Sequence, residues 1–238
     1  MNMGNTKDYE WVELPSKGQC YPVGSPLRKG LVAVKYLTAM DENYICSDKL
    51  RSENKICETL LRRKIVGDFN ALSLCTGDKE AVVLWLLKTG YGNLYKPLFS
   101  DDIINLDEVK YKDFLLRGDE EGHLRYTFNN GDKVVFCFLP FTDEEKAINK
   151  ANVDLDILKN KDRTIEETYM AFTKSVLDKM IVSVNGKSDA VYIKEWLERL
   201  SYSELRAFQR YIIYNSPGLA FDYGQRIVFD DSVFHDIR

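Results

Sequence analysis

Apolar and polar residues alternate over two stretches separated by a turn signal. Leu124, Tyr126 and Phe128 alternate with His123, Arg125 and Thr127; then come Asn129-Asn130-Gly131-Asp132 and a second alternation through Val134, Phe136 and Phe138. A period of two puts one set of side chains on one sheet face, and Asn-Gly tolerates the positive φ of a tight turn, so a central β-hairpin is predicted. Cys137 and Leu139 make the second strand apolar on its other face too, which predicts cover on both sides. A shorter alternation, Val32 and Val34 against Ala33 and Lys35, predicts a strand over residues 31–36.

Elsewhere the apolar spacing is helical. Thr38-Ala39-Met40-Asp41-Glu42 reads as a helix entry, with Thr38 or Asp41 as the cap. Ile56, Leu60, Leu61 and Ile65 form one stripe of a helix over residues 53–66. From Asp78 onward, Val82, Val83, Trp85, Leu86 and Leu87 make a run apolar nearly all round, which belongs at the centre of an N-terminal core. Gly90-Tyr91-Gly92 ends it. Residues 98–122 are acidic and irregular. Beyond the hairpin, Thr142 with Glu145, Thr164 with Glu167 and Ser201 with Glu204 have capping-box spacing. The helix after Thr164 should run about five turns, with Tyr169, Phe172, Val176, Met180 and Ile181 inward. Asn185-Gly186 predicts a turn, and a helix pair sets Ile193, Trp196 and Leu197 against Leu205, Phe208 and Ile212. Asn215-Ser216-Pro217-Gly218 stops that pair; residues 226–229 are expected as an edge strand, with Phe234 near the tail.

The first thirty residues hold Pro15, Pro22 and Pro26 of the chain's 6 prolines and cannot be helical. Trp11, Val12, Leu14 and Tyr21 need cover, from this domain or from a neighbour. The expected fold is therefore α+β and mainly helical, with a central β-hairpin and an extended N-terminal arm. The expected divisions are the arm over 1–30, a helical domain over 31–97, and hairpin plus helical domain over 98–238, the last two able to form one domain.

Composition narrows the function. With 45% hydrophobic and 29% charged residues the 238-residue chain can bury a core. The 12% aromatic content suits cores and subunit contacts alike. A net charge of −4, from 33 basic and 37 acidic residues, argues against a surface built to neutralise phosphates, so no nucleic-acid partner is expected. Arg62, Arg63 and Lys64 read as a solvated or salt-bridged helix face. No apolar stretch approaches the roughly 18 residues of a membrane span, and the polar start, Met1 to Glu10, lacks the apolar run of a secretory signal. Five scattered cysteines, Cys20, Cys46, Cys57, Cys75 and Cys137, suggest reduced thiols in a cytosolic setting.

Candidate chemistry is sparse. Neither His123 nor His235 stands in a nucleophile motif. No Cys or His pair has zinc spacing, and Asp119-Glu120-Glu121-Gly122 lacks the alternating ligands of a calcium loop. Gly90-Tyr91-Gly92 follows a helix, where a dinucleotide fingerprint follows a strand. No catalytic residue, cofactor or metal is expected.

Leu14-Pro15-Ser16-Lys17-Gly18 with Tyr21-Pro22, Leu37-Thr38 with Asp41-Glu42, Leu60-Leu61, Leu74 with Gly77-Asp78, Tyr91-Gly92-Asn93-Leu94-Tyr95, Leu139-Pro140, Val184-Asn185-Gly186 and Pro217-Gly218 follow one another along the chain and together span roughly residues 13–234. Their order resembles that of the baseplate hub assembly proteins of T-even-like contractile-tailed phages. Members of that family often carry Cys-x-x-Cys pairs, after the Tyr-Gly segment and near the end, that look like zinc ligands. Here 96–112 and 219–231 contain no cysteine, so no zinc is carried over and packing must hold those regions.

The resemblance implies a structural or assembly protein, not an enzyme, that binds other tail or baseplate hub proteins and helps nucleate baseplate and tube. A homo-oligomer within a symmetric assembly is compatible with it. It implies the host cytoplasm during assembly, and the virion baseplate if the protein is retained. The candidate contacts are Leu14, Pro15, Tyr21 and Pro22 in the arm and Tyr91, Gly92 and Tyr95 in the aromatic loop, although each segment has a plain alternative in packing onto its own domain. A chain lacking residues 1–30 is expected to fold yet lose a partner. Competing readings are a transient assembly chaperone absent from the mature particle and an enzyme with a scattered carboxylate site.

Overall fold

In the computed structural model, which describes residues 8–97, 103–159, 165–220 and 229–234, the chain forms two compact units built from separated stretches. The first takes its described residues from within Met1–Gly18, Ser25–Asp113 and Pro217–Arg238, the second from Gln19–Gly24 and Phe114–Ser216. The described residues hold eight α-helices and several small antiparallel sheets, an α+β fold as the sequence predicts. The units do not follow the linear division into 1–30, 31–97 and 98–238.

In the first unit, strand β1 (Tyr9–Glu13) runs antiparallel to β2 (Leu31–Lys35), with Trp11 opposite Ala33 and Val12 opposite Val32. Val12, Val32 and Val34 are buried, as the alternation demands. Residues 8–30 are thus extended only in part, and they fold back on their own chain: Leu14 donates its amide to the Gly30 carbonyl at 2.9 Å, and Pro26–Lys29 forms a 3-10 turn. Short helices α1 (Glu42–Ile45) and α2 (Asp48–Ser52) lead to α3 (Ile56–Lys64). The predicted helix over 53–66 stops early, because Ile65–Val66 becomes β3 and pairs with the other edge of β2. Two β-branched residues gain ladder hydrogen bonds there that a fraying helix end would not supply.

Helix α4 (Thr76–Tyr91) buries Ala81, Val82, Val83, Leu84, Leu86 and Leu87, the nearly all-round burial its sequence predicts. Gly92 ends it at φ 94° and ψ −175°, a conformation that a Cβ would strain. Two-residue strands β4 (Leu94–Tyr95) and β5 (Ile104–Asn105) pair with each other. The strand β6 (Lys110–Tyr111) pairs with Leu219–Ala220, which draws the chain after Pro217 into this unit. Phe229, Val233 and Phe234 are buried, the last two in a 3-10 turn. Residues 226–228 of the expected edge strand lie outside the described residues.

The second unit holds the hairpin, β7 (Leu124–Thr127) and β8 (Lys133–Phe136). Its turn differs in detail from the Asn-Gly signature. Gly131 donates to the Phe128 carbonyl at 2.9 Å and Phe128 to that of Asp132 at 2.8 Å, and Gly131, not Asn130, takes positive φ. This is a three-residue loop with a glycine bulge. Helices α5 (Phe141–Lys159) and α6 (Ile165–Met180) follow, then β9 (Ile181–Val184), which pairs with β8 and makes it the central strand of three. On its second face Val135, and beyond the strand Cys137 and Leu139, are only half-buried, so the expected cover on both faces is partial. Asn185-Gly186, at φ 52° and 78°, forms the two-residue turn between Val184 and Lys187, which exchange both backbone bonds at 2.9 Å.

Helices α7 (Ala190–Arg199) and α8 (Tyr202–Asn215) bury Ile193, Trp196, Leu197, Leu205, Phe208 and Ile212 as expected. Phe208 is the hub of an aromatic core, with ring centroids 5.0 Å from Tyr126, 5.3 Å from Phe128 and 5.7 Å from Phe136. Ser201 and Glu204 form the full capping box. Thr142 does not cap α5, which starts a residue earlier and passes its first amides to the Pro140 carbonyl. Thr164 lies outside the described residues.

Candidate interaction surface

The motif Leu14-Pro15-Ser16-Lys17-Gly18 is held by a buried carboxylate on the first turn of α4. Asp78 accepts the Ser16 amide at 2.9 Å and its hydroxyl at 2.6 Å, while the Ser16 oxygen accepts the Gly18 amide at 3.1 Å. An acid at this helix end also meets the positive pole of the helix dipole. The following residue pair completes the clamp from the far end of the chain: a side chain on Gly77 would collide with the Pro217 carbonyl, and Lys112 donates to the Gly218 carbonyl at 2.9 Å. Leu14-to-Gly18, Gly77-Asp78 and Pro217-Gly218, remote in sequence, therefore meet at the start of α4.

This arrangement places the sequence-derived contact residues as follows. Leu14 and Pro15 are buried in the first unit. Tyr21 is buried in the second, where Gly118 and Gly122 leave room for the backbone of residues 19–21 and Val23 donates to the Glu120 carbonyl at 2.7 Å; Pro22 is exposed. Tyr91 is half-buried and donates its hydroxyl to Glu42 at 2.6 Å; burial, and then that carboxylate, push its pKa up. Gly92 is exposed and Tyr95 is buried. Pro22, Gly92 and part of Tyr91 are thus the accessible members.

The sheet carries a more prominent exposed feature. Trp11 is 57% exposed, Tyr9 packs edge-on to it at 6.1 Å, and Leu31, on the same face by register, is 39% exposed. Sequence reasoning marked Trp11 as needing cover without placing it among the contacts. The available signal was its alternation with Val12, which puts one of the two outward whenever the other is in the core.

The buried carboxylates have structural partners. Asp231 accepts the amides of Ile56 and Cys57, both at 2.7 Å, and so caps α3 from the far end of the chain. Neighbouring Phe229 offers its carbonyl to the Lys79 ammonium at 2.6 Å. Asp41 does not cap α1 through its side chain; it accepts the Thr38 amide and hydroxyl at 2.8 and 2.7 Å and pairs with buried Lys64 and, at 3.4 Å, with Arg63. Burial pushes its carboxyl up, but the bonds from Lys64 and Thr38 outweigh that and hold it below its ordinary value. Arg62 pairs with Glu58 at 3.0 Å, so the basic run on α3 is salt-bridged.

In the second unit, the Trp196 indole and the Asn185 amide donate to Asp132 at 2.8 Å each and hold its carboxyl below the usual range. The Asp119-to-Gly122 turn is internally bonded, with Asp119 accepting the Glu121 and His123 amides at 3.0 and 2.9 Å. His235 lies outside the described residues. Among the described residues no group of three or more His, Cys, Asp or Glu side chains is placed to hold a metal, and no helix is long and apolar enough to cross a membrane. An open groove of about 700 Å³, bordered by Asp178, Val191, Lys194, Glu195, Glu198 and Arg199, carries charges of both signs. No protein-family model, curated protein or solved structure matches the chain.

Proposed function

We propose that this chain is a non-catalytic structural or assembly protein of a contractile phage tail baseplate hub, which binds other hub subunits and helps nucleate baseplate and tube. The observation that supports binding is the outward face of Tyr9, Trp11 and Leu31 on a sheet whose base is clamped by Ser16 and Asp78. A large ring held exposed on a stiff support loses little conformational freedom when a partner covers it, and Trp and Tyr dominate interface energetics for that reason. The hub assignment rests on the order of short motifs described above. The engagement of Asp41, Asp78 and Asp231 with amides, hydroxyls and lysines gives those carboxylates a structural role and supports the non-catalytic half of the reading.

The test is recovery of hub proteins by tagged chain from cells making all the tail proteins. Trp11→Ala, with folding checked by circular dichroism, should retain about tenfold less of its partner or lower, the loss expected of an interface hot spot. Equal recovery by both chains counts against the proposal. Presence at fixed stoichiometry in purified particles marks a resident component, and absence marks a departing chaperone.

A further inference from the structure

In an antiparallel ladder the backbone groups of alternate residues point to opposite sides of the strand. The Leu14 amide bonds to the Gly30 carbonyl, and Val12 with Val32 and Glu10 with Val34 continue that register. Those residues bond inward to β2, so Tyr9, Trp11 and Glu13 turn their N–H and C=O groups outward. The sheet order puts β1 at an edge, and among the described residues nothing hydrogen-bonds to those outward groups. Natural edges are shielded by proline, bulges or charge. β1 has neither proline nor bulge; its shield is charge of a single sign, from exposed Asp8, Glu10 and Glu13. The nearest opposite charge in the ladder, Lys35, sits one strand in, across from Tyr9.

We infer that the outer edge of β1 accepts an added strand from a partner protein, an extended segment that alternates Lys or Arg with apolar residues. The inference rests on the proposal that a partner docks on this sheet. The backbone supplies a ladder of hydrogen bonds; basic side chains fall on the face of Glu10, and apolar ones lie beside Trp11 and Tyr9. Single-signed charge disfavours a second copy of this chain, which would bring a second set of Asp8, Glu10 and Glu13 alongside the first.

The experiment uses the full chain, 15N-labelled, with a synthetic peptide of about ten residues alternating Lys and Val, a length typical of a strand. Controls are a peptide of the same composition with its lysines and valines grouped, and a Glu–Val alternating peptide. The Lys–Val peptide should slow amide exchange at Trp11 and Glu13 by about tenfold or more at saturation. Its binding should weaken as salt is added. Tyr9→Pro removes an outward N–H at an edge position that tolerates proline, so it should bind the peptide several-fold more weakly than Tyr9→Ala. Glu10→Lys, on the face that the basic side chains occupy, should shift the preference toward the Glu–Val peptide. Failure of the Lys–Val peptide to bind, equal binding of the controls, or side-chain shifts at Trp11 without amide protection would overturn strand addition. So would amide protection that rises with protein concentration and needs no peptide, which would mark a second copy at the edge. If strand addition fails while Trp11→Ala still loses hub proteins, the functional proposal stands without it; if Trp11→Ala loses none, the functional proposal itself fails.

Discussion

Asp41 is fully buried and would be costly there without its partners, since its carboxylate loses water on every side. The Lys64 ammonium, also buried, shares that carboxylate with the Thr38 amide and hydroxyl and donates to the Tyr36 carbonyl at 2.9 Å. Asp41→Asn strands the lysine charge in the core and should cost about 3–5 kcal/mol in a denaturant titration, the range for breaking a buried pair. The folded carboxyl lies below its ordinary value, so its contribution is complete above the unfolded pKa of about 4 and fades as pH falls through the folded value. The variant should therefore show a shallower loss of stability on acidification than the wild type; parallel curves would contradict this. Little of that was legible in sequence. Asp41 stood out as a cap because an acid beside a helix start usually is one, and nothing local announces a lysine from the end of α3. Leu14, Pro15 and Tyr21 posed the same problem: the sequence showed that they need cover, but the Asp78 clamp and the Gly118-to-Gly122 turn that provide it come from residues far along the chain.

At the scale of elements, local chemistry was readable wherever it decided the outcome. The hairpin, α4, the Asn185-Gly186 turn and the helix pair α7–α8 all formed where apolar period and turn residues agreed. Tertiary pairing decided the exceptions. Ile65 fits a helical stripe but joins β2, and the strands β4, β5 and β6 are each two residues long, too short to leave a pattern. Capping boxes make the contrast testable. Ser201 and Thr142 have the same spacing to a glutamate, yet only Ser201 stands at a helix boundary and makes the reciprocal bonds. Ser201→Ala should cost about 1 kcal/mol in thermal or chemical unfolding. Thr142→Ala should stay within about 0.5 kcal/mol of wild type, as a substitution away from any cap. Comparable losses at both positions would show that the helix starts are misassigned.

For the whole molecule, the crossing of the chain between units matters more than the size of either. Residues 9–18 give the first unit an edge strand and the Asp78 clamp, and residues 19–24 belong to the second. A chain lacking residues 1–30 therefore should not fold intact minus a contact arm, as the sequence alone suggested. It should lose cooperative thermal unfolding or aggregate, and a sharp transition near the wild-type temperature would refute that. The same interleaving explains why the linear domain division could not be read from composition, since no linker marks a boundary that the chain crosses several times.

The closure of α3 by Asp231 reaches across 175 positions of sequence to Ile56, and it sets a schedule for biosynthesis. While the ribosome is still extending α8, the leading amides of α3 have no carboxylate and Lys79 has no Phe229 carbonyl to bind. The first unit matures only once the chain through Asp231 has emerged, because its α3 cap is supplied from there. Ribosome-bound chains halted after Ser216 should be cut by protease within α3, whereas full-length released chains should resist; equal resistance would remove the delay.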